Sequence, residues 1–564
     1  MFKPELLNTM KGYDGKTFVS DLIAGVIVGI VALPLAIAFA IASGVGPAAG
    51  IFTAIIAGFC ISAFGGSRVQ IGGPTGAFAV IVFGVVAKFG LGGLATATVM
   101  AGIILILLGV FKMGGLVKFI PYTIVTGFTA GIAVVIASGQ IGDFFGLHPD
   151  FSTPMMVMGE ELTKMPGDFL PKMIVFAKSA ASVNWYAFGM AAICLAFIFI
   201  WSKFIKKIPG SIVVIVIATV ASVLLDKYCG LKCDTIGSRY TIPSISELKP
   251  TMPDFNISTI IDLFPTAISI AVLAAIESLL SAVVADGMIG TKHDSNTELI
   301  AQGVANIASP VFGGIPATGA IARTATNIKN GGKTPVAGII HAITLLLILI
   351  CMGPLVGYIP MPALSAILIN VAWNMAGFPA IRALMKGQKS DICVFFVTFL
   401  ITVFIDLTVA IAVGLGLAAF FFIKKMIDLS EVQGGRNVMT GGIKKDQPAE
   451  NLDIPHGVLV FEIEGPLFFG TVRKFEMATE RAGADCKVLV LRMRNTIYLD
   501  AGGIQALQQL KAACDRKGIT IVLSGIHTQP FMLCEKTGMA DKLGRENIFD
   551  NITAALERAK AIVG

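Results

Sequence analysis

Long apolar runs recur along most of the chain, separated by glycine, proline and charged residues. Between Asp21 and Ile423 these runs are roughly 20 residues long, the length that a helix needs to cross the ~30 Å hydrocarbon core of a bilayer. The pattern predicts an α-helical polytopic membrane protein with fourteen spans. The predicted spans are 20–43, 46–64, 68–88, 92–111, 120–142, 184–201, 208–225, 260–286, 296–308, 310–329, 335–353, 361–376, 390–405 and 407–423.

The pattern changes from about Ser430 to that of an ordinary charged, alternating sequence. HGVLVFEIEGPLFFGT predicts two strands, VLVLRMRN and TIVLSGI one each, and helices follow in DAGGIQALQQLKAACDRKG and near 551–562. Alternating strands and helices indicate a small α/β domain. We therefore divide the chain into an N-terminal segment 1–19, a membrane domain 20–425, a linker 426–452 and a C-terminal domain 453–564.

Composition and charge agree with a membrane protein. Of the 564 residues, 55% are hydrophobic and 14% are charged, whereas soluble chains average about 25% charged residues. The net charge of +7 comes mostly from short loops, so no nucleic-acid partner is predicted. A polar start before an apolar run too long for a signal peptide predicts no cleaved leader.

The basic residues also orient the chain. If the N-terminus is cytoplasmic, the short outside loops carry almost no lysine or arginine, as the positive-inside rule requires. An even number of spans then places the C-terminal domain in the cytoplasm as well. The predicted location is the cell (inner) membrane.

Two predicted spans carry helix breakers near their middle. Residues 68–88 read RVQIGGPTGAFAVIVFGVVAK and residues 310–329 read PVFGGIPATGAIARTATNIK. Each begins with a β-compatible run (Arg68–Ile71 and Pro310–Phe312), followed by Gly-Gly, a proline, Gly-Ala and a helical run. Proline is tolerated in the first turn of a helix, so we expect it there. Each segment is predicted to be extended in its first half and helical in its second.

These two segments lie seven spans apart and run in opposite directions, which predicts two inverted repeats of seven spans. Their helix starts are expected to face each other near the membrane midplane. Unpaired N–H groups and the positive dipole end of a helix favour an anion. Broken helices in corresponding positions point to the substrate site of a transporter. A single GGPTG would be read as a packing kink, but two copies favour binding.

Ionisable residues within the apolar runs are functional candidates. Glu277 lies inside LAAIESLLSAVVADGM, and Ser281 shares its helix face four residues later. Glu277 is interpreted as a proton carrier or a Na⁺ ligand, with an interhelical hydrogen bond as the alternative. Arg323 is predicted about two turns into the second helical half. Three roles are open for it: to add positive charge to the anion site, to pair with Glu277, or to extend to the cytoplasm. Asn306 and the nearby Gln302 are expected to satisfy backbone near the broken helices.

Enzyme chemistry is not predicted. We find no nucleophile–base pair and no cysteine or histidine spacing typical of a metal site, so no cofactor is expected beyond a coupling ion. Cys229 and Cys233, in a predicted outside loop, form a disulfide or remain free thiols.

The sequence resembles the SulP family, also called solute carrier family 26, over essentially the whole chain. The motifs that carry the resemblance are GGPTGAF, AIESLLSAVVADGMIGTKHDSNTELIAQGVANI, GGIPATGAIARTATNIKNGG, VAWNM and, in a C-terminal STAS domain, GPLFFG and LDAGG. The chain looks most similar to the bacterial branch that includes the aerobic four-carbon dicarboxylate transporter and proton-coupled sulfate carriers.

This resemblance implies a UraA-like architecture and an elevator motion. Spans 1–4 and 8–11 would form a core, spans 5–7 and 12–14 a gate, and two chains a homodimer, with a cytoplasmic protein partner at the STAS domain. Glu277 and Ser281 would bind the coupling ion. The residues implied in substrate binding are Phe39, Thr75, Gly76, Ala77, Gly319, Ala320, Ile321 and Arg323.

Three departures from the family pattern qualify these expectations. Leu35 stands where animal members often have glutamine, and Ala501 replaces the serine that is phosphorylated in related STAS domains. Na⁺-coupled bicarbonate carriers have aspartate and threonine where Glu277 and Ser281 stand here. We therefore expect proton-coupled symport of a compact dianion, either sulfate or a four-carbon dicarboxylate. The alternatives are Na⁺-coupled bicarbonate symport, an uncoupled anion channel or exchanger, and a scaffold.

Overall fold

The computed structural model describes residues 2–115, 121–152, 155–163, 165–204, 209–241, 253, 256–405, 407–429, 431–435, 454–468 and 486–564. These residues divide into two compact units, Met1–Ala418 and Ala419–Gly564. We describe each unit by itself.

The first unit is built from helices. In chain order they are α1 (Glu5–Thr9), α2 (Gly15–Ala42), α3 (Pro47–Phe64), α4 (Ala79–Val110), α5 (Tyr122–Gly139), α6 (Ile141–Phe145), α7 (Phe169–Lys178), α8 (Trp185–Phe204), α9 (Gly210–Cys229), α10 (Ile236–Arg239), α11 (Ile257–Ile289), α12 (Ser295–Val311), α13 (Ile321–Lys329), α14 (Val336–Val356), α15 (Met361–Ala376), α16 (Phe378–Leu384), α17 (Lys389–Phe404) and α18 (Leu407–Leu429), which continues into the second unit. Two short antiparallel ladders accompany them, β1 (Gly72–Gly73) with β4 (Thr318–Gly319) and β2 (Met155–Val157) with β3 (Glu160–Leu162).

Within the described residues, ten helical segments are long and apolar enough to cross a membrane. Ten is fewer than the fourteen predicted spans, because two of the predicted spans merge and three others are short. The helix that begins near Gly76 runs on to Val110, with a local break at Gly90 where φ is 67°, so two predicted spans merge. The segments α12, α13 and α17 are shorter than a full crossing. The span count and the inverted repeat therefore remain predictions.

Close helix packing in this unit depends on small residues. Gly102 of α4 faces Gly303 of α12, and a β-carbon at either position would lie within 2.7 Å of the other residue's carbonyl oxygen. Gly25 of α2 likewise lies against Ala337 of α14, where a β-carbon would lie 2.5 Å from the carbonyl oxygen. Small residues that allow backbones to approach are typical of helix contacts in membranes.

The two broken segments differ in detail from the prediction. Pro310 and Val311 lie in the last turn of α12, not in an extended run. The extended part is β1 paired with β4, with Gly72 opposite Gly319 and Gly73 opposite Thr318. Backbone pairing between the two segments shifts the extended part toward the helix starts, because unpaired N–H and C=O groups are costly at membrane depth.

The two prolines and Arg323 also differ from the prediction in their positions relative to the helix starts. Pro74 and Pro316 lie before the helix rather than in its first turn, since helix begins at Gly76 as a short 3₁₀ turn and at Ile321 as α13. Arg323 is therefore the third residue of its helix, not two turns into it.

The second unit contains a five-stranded sheet with helices. The strands β5 (Glu431–Gly435), β6 (Val458–Glu464), β7 (Val488–Asn495), β8 (Thr520–Ser524) and β9 (Ile548–Phe549) lie side by side in that order, antiparallel between β5 and β6 and parallel elsewhere. The helices are α19 (Ala501–Arg516), α20 (Thr528–Lys536), α21 (Met539–Leu543) and α22 (Ile552–Val563). The side chains of β7 alternate between two apolar clusters, Val488 and Val490 with those of α22, Leu489 and Leu491 with those of α19.

Two predictions for this part of the chain need correction. The range 426–452 is not a linker throughout, because α18 continues to Leu429 and Glu431–Gly435 pairs with β6 as an edge strand; the rest of that range lies outside the described residues. HGVLVFEIEGPLFFGT contains one described strand, Val458–Glu464, followed by a single bridge from Leu467 to Leu499, and its last three residues, 469–471, are not described. Gly465 has a φ of 86°, which interrupts the extended backbone.

Candidate functional site

The two broken segments are held together by hydrogen bonds beyond their short ladder. The N–H of Ala320 donates to the carbonyl of Ile71 at 2.8 Å, and the N–H of Ile71 donates to Oγ1 of Thr324 at 3.0 Å. Arg323 donates to the carbonyls of Gly72 and Pro74. Each segment thus supplies partners for the polar backbone of the other.

The two segments meet at residues 71–74 and 317–320, which we call the crossing. Helix α11 supports the crossing. Oγ of Ser278 lies 2.6 Å from Oγ1 of Thr318 and accepts from the N–H of Gly319 at 3.1 Å. Gln70 donates to the carbonyl of Ser278 at 3.2 Å. One helical residue therefore contacts both broken segments, which fixes α11 and its neighbouring residue Glu277 against the crossing.

Helices α3 and α12 also support the crossing. The N–H of Ile315 donates to Oγ1 of Thr53 at 2.7 Å. Asn306 forms two reciprocal hydrogen bonds with the backbone of Ala317, as an acceptor at 2.9 Å and as a donor at 2.8 Å. This confirms the expectation for Asn306. The side chain of Gln302 instead donates to Glu298 at 2.8 Å.

Two glycines are required by the crossing itself. Gly73 has a φ of 148°, and a β-carbon there would lie 2.3 Å from Nη1 of Arg323. A β-carbon on Gly319 would lie 1.6 Å from Nε2 of Gln70. The Gly-rich motifs seen in the sequence therefore allow the two segments to approach each other and the side chains that tie them.

Glu277 is connected to one of the two helix starts. Oγ1 of Thr75 donates to Oε2 of Glu277 at 2.9 Å, and Thr75 immediately precedes the helical turn that begins at Gly76. Glu277 and Thr75 are both half-buried. A carboxylate and the first N–H groups of a helix are thus brought together next to the crossing.

Apolar side chains surround Gly76. A β-carbon there would lie 2.9 Å from Ile136 of α5, 3.0 Å from Phe39 of α2 and 3.4 Å from Met375 of α15. Ala77 is fully buried and Phe39 is 6% exposed. Apolar surroundings lower the local dielectric constant, which strengthens the interaction of the N–H groups at a helix start with an anion.

The structure gathers most of the predicted site residues at the crossing. Gly319 and Ala320 lie in it or at its edge, and Ile321 begins α13 with its side chain 43% exposed. Arg323 is 2% exposed, which excludes extension to the cytoplasm. In the part of the chain that the structure describes, Arg323 makes no ion pair with Glu277.

Ser281 is hydrogen-bonded to a residue other than Glu277. Its side chain is fully buried and donates to Oγ1 of Thr324 at 3.3 Å, so it supports α13 instead. Cys229 and Cys233 are free thiols.

Two buried carboxylates that were not predicted from the sequence hold the loops next to the broken segments. Glu298 of α12 is fully buried and accepts from the N–H groups of Gly66 at 2.9 Å and Ser67 at 3.2 Å. Asp21 of α2 is fully buried and accepts from the N–H of Lys333 at 2.7 Å and from Oγ1 of Thr334 at 2.5 Å. The sequence signal for these two loops is a Gly-Gly pair followed by a polar residue, in FGGS and NGGK.

Among the described residues there is no group of three or more histidine, cysteine or acidic side chains that would hold a metal ion. The crossing instead offers backbone N–H groups, one hydroxyl, one carboxylate and one buried guanidinium. These groups suit reversible binding of an anion.

The fold and the site define a helical membrane transport protein with a C-terminal α/β domain. Residues 18–398 match the sulfate permease family, and residues 450–555 match the STAS domain. The chain belongs to this family of sulfate and other anion transporters, also known as SulP or solute carrier family 26. The relatives are named as transporters, which are not enzymes.

Two relatives are similar over nearly their whole length. YvdB of Bacillus subtilis (strain 168), a protein provisionally named a sulfate transporter, is 40% identical over 546 residues, which cover 96% of this chain and 98% of YvdB. The bicarbonate transporter BicA of Synechocystis sp. is 28% identical over 557 residues, 96% of this chain and 94% of BicA.

Solved structures show the same fold. The murine solute carrier 26 family member A9, an anion transporter in the inward-facing state, superposes with a TM-score of 0.84 at 21% identity, covering 99% of this chain and 94% of that one. The transmembrane domain of a cyanobacterial BicA gives a TM-score of 0.61 at 28% identity, covering 72% of this chain and 98% of that one.

Proposed function

We propose that the protein is a secondary active anion transporter that couples inward movement of protons to symport of a compact dianion, sulfate or a four-carbon dicarboxylate. The observation that carries the proposal is the hydrogen bond from Thr75 to Glu277 beside a helix start. It joins a group that can take up a proton to the place where an anion would bind.

In this proposal the anion binds between the helix starts at Gly76 and Ile321. The first N–H groups of a helix lack partners within the helix and carry the positive end of its dipole. The buried guanidinium of Arg323 adds positive charge while it holds the carbonyls of Gly72 and Pro74. Phe39 lines the apolar side. Backbone donors of this kind accept any compact dianion, which is why both substrate classes are proposed.

Coupling follows from charge repulsion. An ionised Glu277 next to the pocket repels an incoming anion and is costly to move through an apolar surround. Protonation removes this charge, and the neutral carboxyl retains a hydrogen-bond partner in Thr75. The anion and the proton therefore bind together more readily than either alone. Ser281 contributes indirectly, because it supports α13 rather than Glu277.

We also propose an elevator motion, in which the core carries the anion past the gate. Gly76 and Phe39 belong to the predicted core, whereas Ile136 and Met375, which also lie close to Gly76, belong to the predicted gate. A site between two bodies changes its access when one slides along the other. Seven-plus-seven inverted repeats, a homodimer, a cytoplasmic partner at the STAS domain and inner-membrane location with cytoplasmic termini complete this proposal.

A second candidate is bicarbonate symport, with Na⁺ as the coupling ion at Glu277, or uncoupled anion exchange or channel conduction. The observation in its favour is the similarity to BicA over nearly the whole chain.

The test is uptake by proteoliposomes of labelled sulfate, succinate and bicarbonate under an imposed pH or Na⁺ gradient. An inward proton gradient should concentrate sulfate or succinate, and Glu277→Gln should abolish this concentration while retaining exchange. Glu557→Gln, an exposed position in the C-terminal domain, is the matched control. Uptake driven by Na⁺ alone would favour the second candidate, and unchanged concentration by Glu277→Gln would refute the coupling role.

A further inference from the structure

An open apolar groove lies on the outer surface of the membrane unit. It has a volume of about 850 Å³ and is formed by three helices, α2, α9 and α14. Among its lining residues are Pro34 of α2, Val216 and Val220 of α9, and Ile348 of α14. Val220 is 54% exposed. All three helices are long and apolar enough to cross a membrane, where lipid is the surrounding solvent.

The groove has the length of one leaflet. Its wall on α9 runs from Ile212 to Leu224, a rise of about 18 Å at 1.5 Å per residue. Half of the hydrocarbon core is about 15 Å thick. An extended acyl chain fits this dimension along the helix axis.

The groove continues into a polar pocket at the end of α9. This pocket has a volume of about 530 Å³, and Val223 and Tyr358 line both spaces. Lys227 and Lys232 contribute two positive charges to it and Asp226 one negative charge. The net charge of the pocket is thus +1, which complements the single negative charge of a phosphodiester.

Aromatic residues mark this end as the membrane–water interface. Tyr358 is 54% exposed and Tyr228 is 74% exposed, and Nζ of Lys227 lies 5.6 Å from the ring centre of Tyr228. Tyrosine is enriched where membrane meets water. Asp234, two residues after Lys232, is already paired with Arg239, so its charge does not oppose an anionic headgroup.

We propose that the groove and the polar pocket together bind one anionic phospholipid, with an acyl chain between α2, α9 and α14 and the phosphate at Lys227 and Lys232. The amphipathic shape favours a lipid over a transmembrane helix of a second copy, which has no phosphate to place at the lysines. The bound lipid would fill the space between α9 and the pair formed by α2 and α14.

The test uses the full-length protein in phosphatidylcholine nanodiscs with a small fraction of phosphatidylglycerol that carries a photoactivatable acyl chain. Crosslinked peptides from α9 and α14 are quantified by mass spectrometry. We expect preferential labelling of the groove, and the double variant Lys227→Gln/Lys232→Gln should lower it about ten-fold or more, as expected for loss of two surface lysines. Photoactivatable phosphatidylcholine should be unaffected by that variant.

Two tryptophan variants probe the groove itself. Val220→Trp should remove groove labelling, whereas Ile193→Trp on α8, equally apolar and 72% exposed, should not. Since Val220→Trp risks misfolding, the lysine variant provides the independent test. Equal labelling of the groove by both lipids, label spread evenly over all exposed helices, competition by excess inorganic phosphate, or crosslinking of α9 to a second copy would each overturn the proposal.

Discussion

Replacing Asn306 by alanine tests whether its hydrogen bonds to the backbone stabilise the crossing. Asn306 is fully buried, and its amide pairs with both the N–H and the carbonyl of Ala317, one residue before β4. Alanine supplies neither partner. Because Asn306 is fully buried, water is not at hand to replace both bonds.

The magnitude follows from the two polar groups left without a partner. Each buried unpaired backbone group costs about 1–3 kcal/mol, so Asn306→Ala should destabilise the crossing by about 2–6 kcal/mol. A domain is typically stable by only about 5–15 kcal/mol. We therefore expect a clearly lower midpoint of thermal unfolding and strongly reduced anion uptake at temperatures where the wild-type protein is active.

Asn330→Ala is the matched control. Asn330 is half-buried and its amide donates to the carbonyl of Thr326, four residues earlier, at 2.8 Å. Its loss should cost about 0.5–1.5 kcal/mol, the net value of an ordinary hydrogen bond. The comparison is made by fluorescence-detected thermal unfolding and by uptake into proteoliposomes. If both variants unfold at the same temperature and transport equally well, the reasoning about the crossing is refuted.

Three further predictions concern other parts of the chain. Glu298→Gln places an amide donor against the N–H of Gly66 and should lower the thermal unfolding midpoint, whereas an unchanged midpoint would contradict its capping role. Burial and the nearby Asp21 carboxylate raise the pKa of Tyr13 to about 12 from about 10; this stabilisation is complete below pH 10 and lost as the pH rises to 12, and Tyr13→Phe should flatten that part of the stability profile. Burial raises the pKa of Cys514 to about 11, so iodoacetamide at pH 8 should modify the exposed Cys229 and leave Cys514 unmodified in mass spectra.

The positions of most helices followed from the sequence because apolar runs of membrane length have few alternatives. The predicted span 46–64 and the helix Pro47–Phe64 differ by one residue. The two broken segments were also visible, because two adjacent glycines followed closely by a proline disfavour a continuous helix. Their pairing was not predicted in detail, since which residues form β1 and β4 depends on contacts between segments about 250 residues apart.

The residues of the candidate site were partly predictable from the sequence, but their partners were not. Glu277 stood out as a charge in an apolar run, but its partner Thr75 is 202 residues away. Helical periodicity placed Ser281 beside Glu277, whereas the structure directs it to Thr324, because two residues on one helix face often contact different neighbours. The loop-capping roles of Glu298 and Asp21 depend on tertiary contacts that local patterns do not contain.

The central claim is that the helix starts at Gly76 and Ile321 form one anion pocket. The most direct measurement is a crystal structure with selenate, a heavy analogue of sulfate whose selenium is located by anomalous scattering. We expect an anomalous peak within hydrogen-bond reach of N–H groups from both helix starts. A bound selenate that contacts neither start would contradict it.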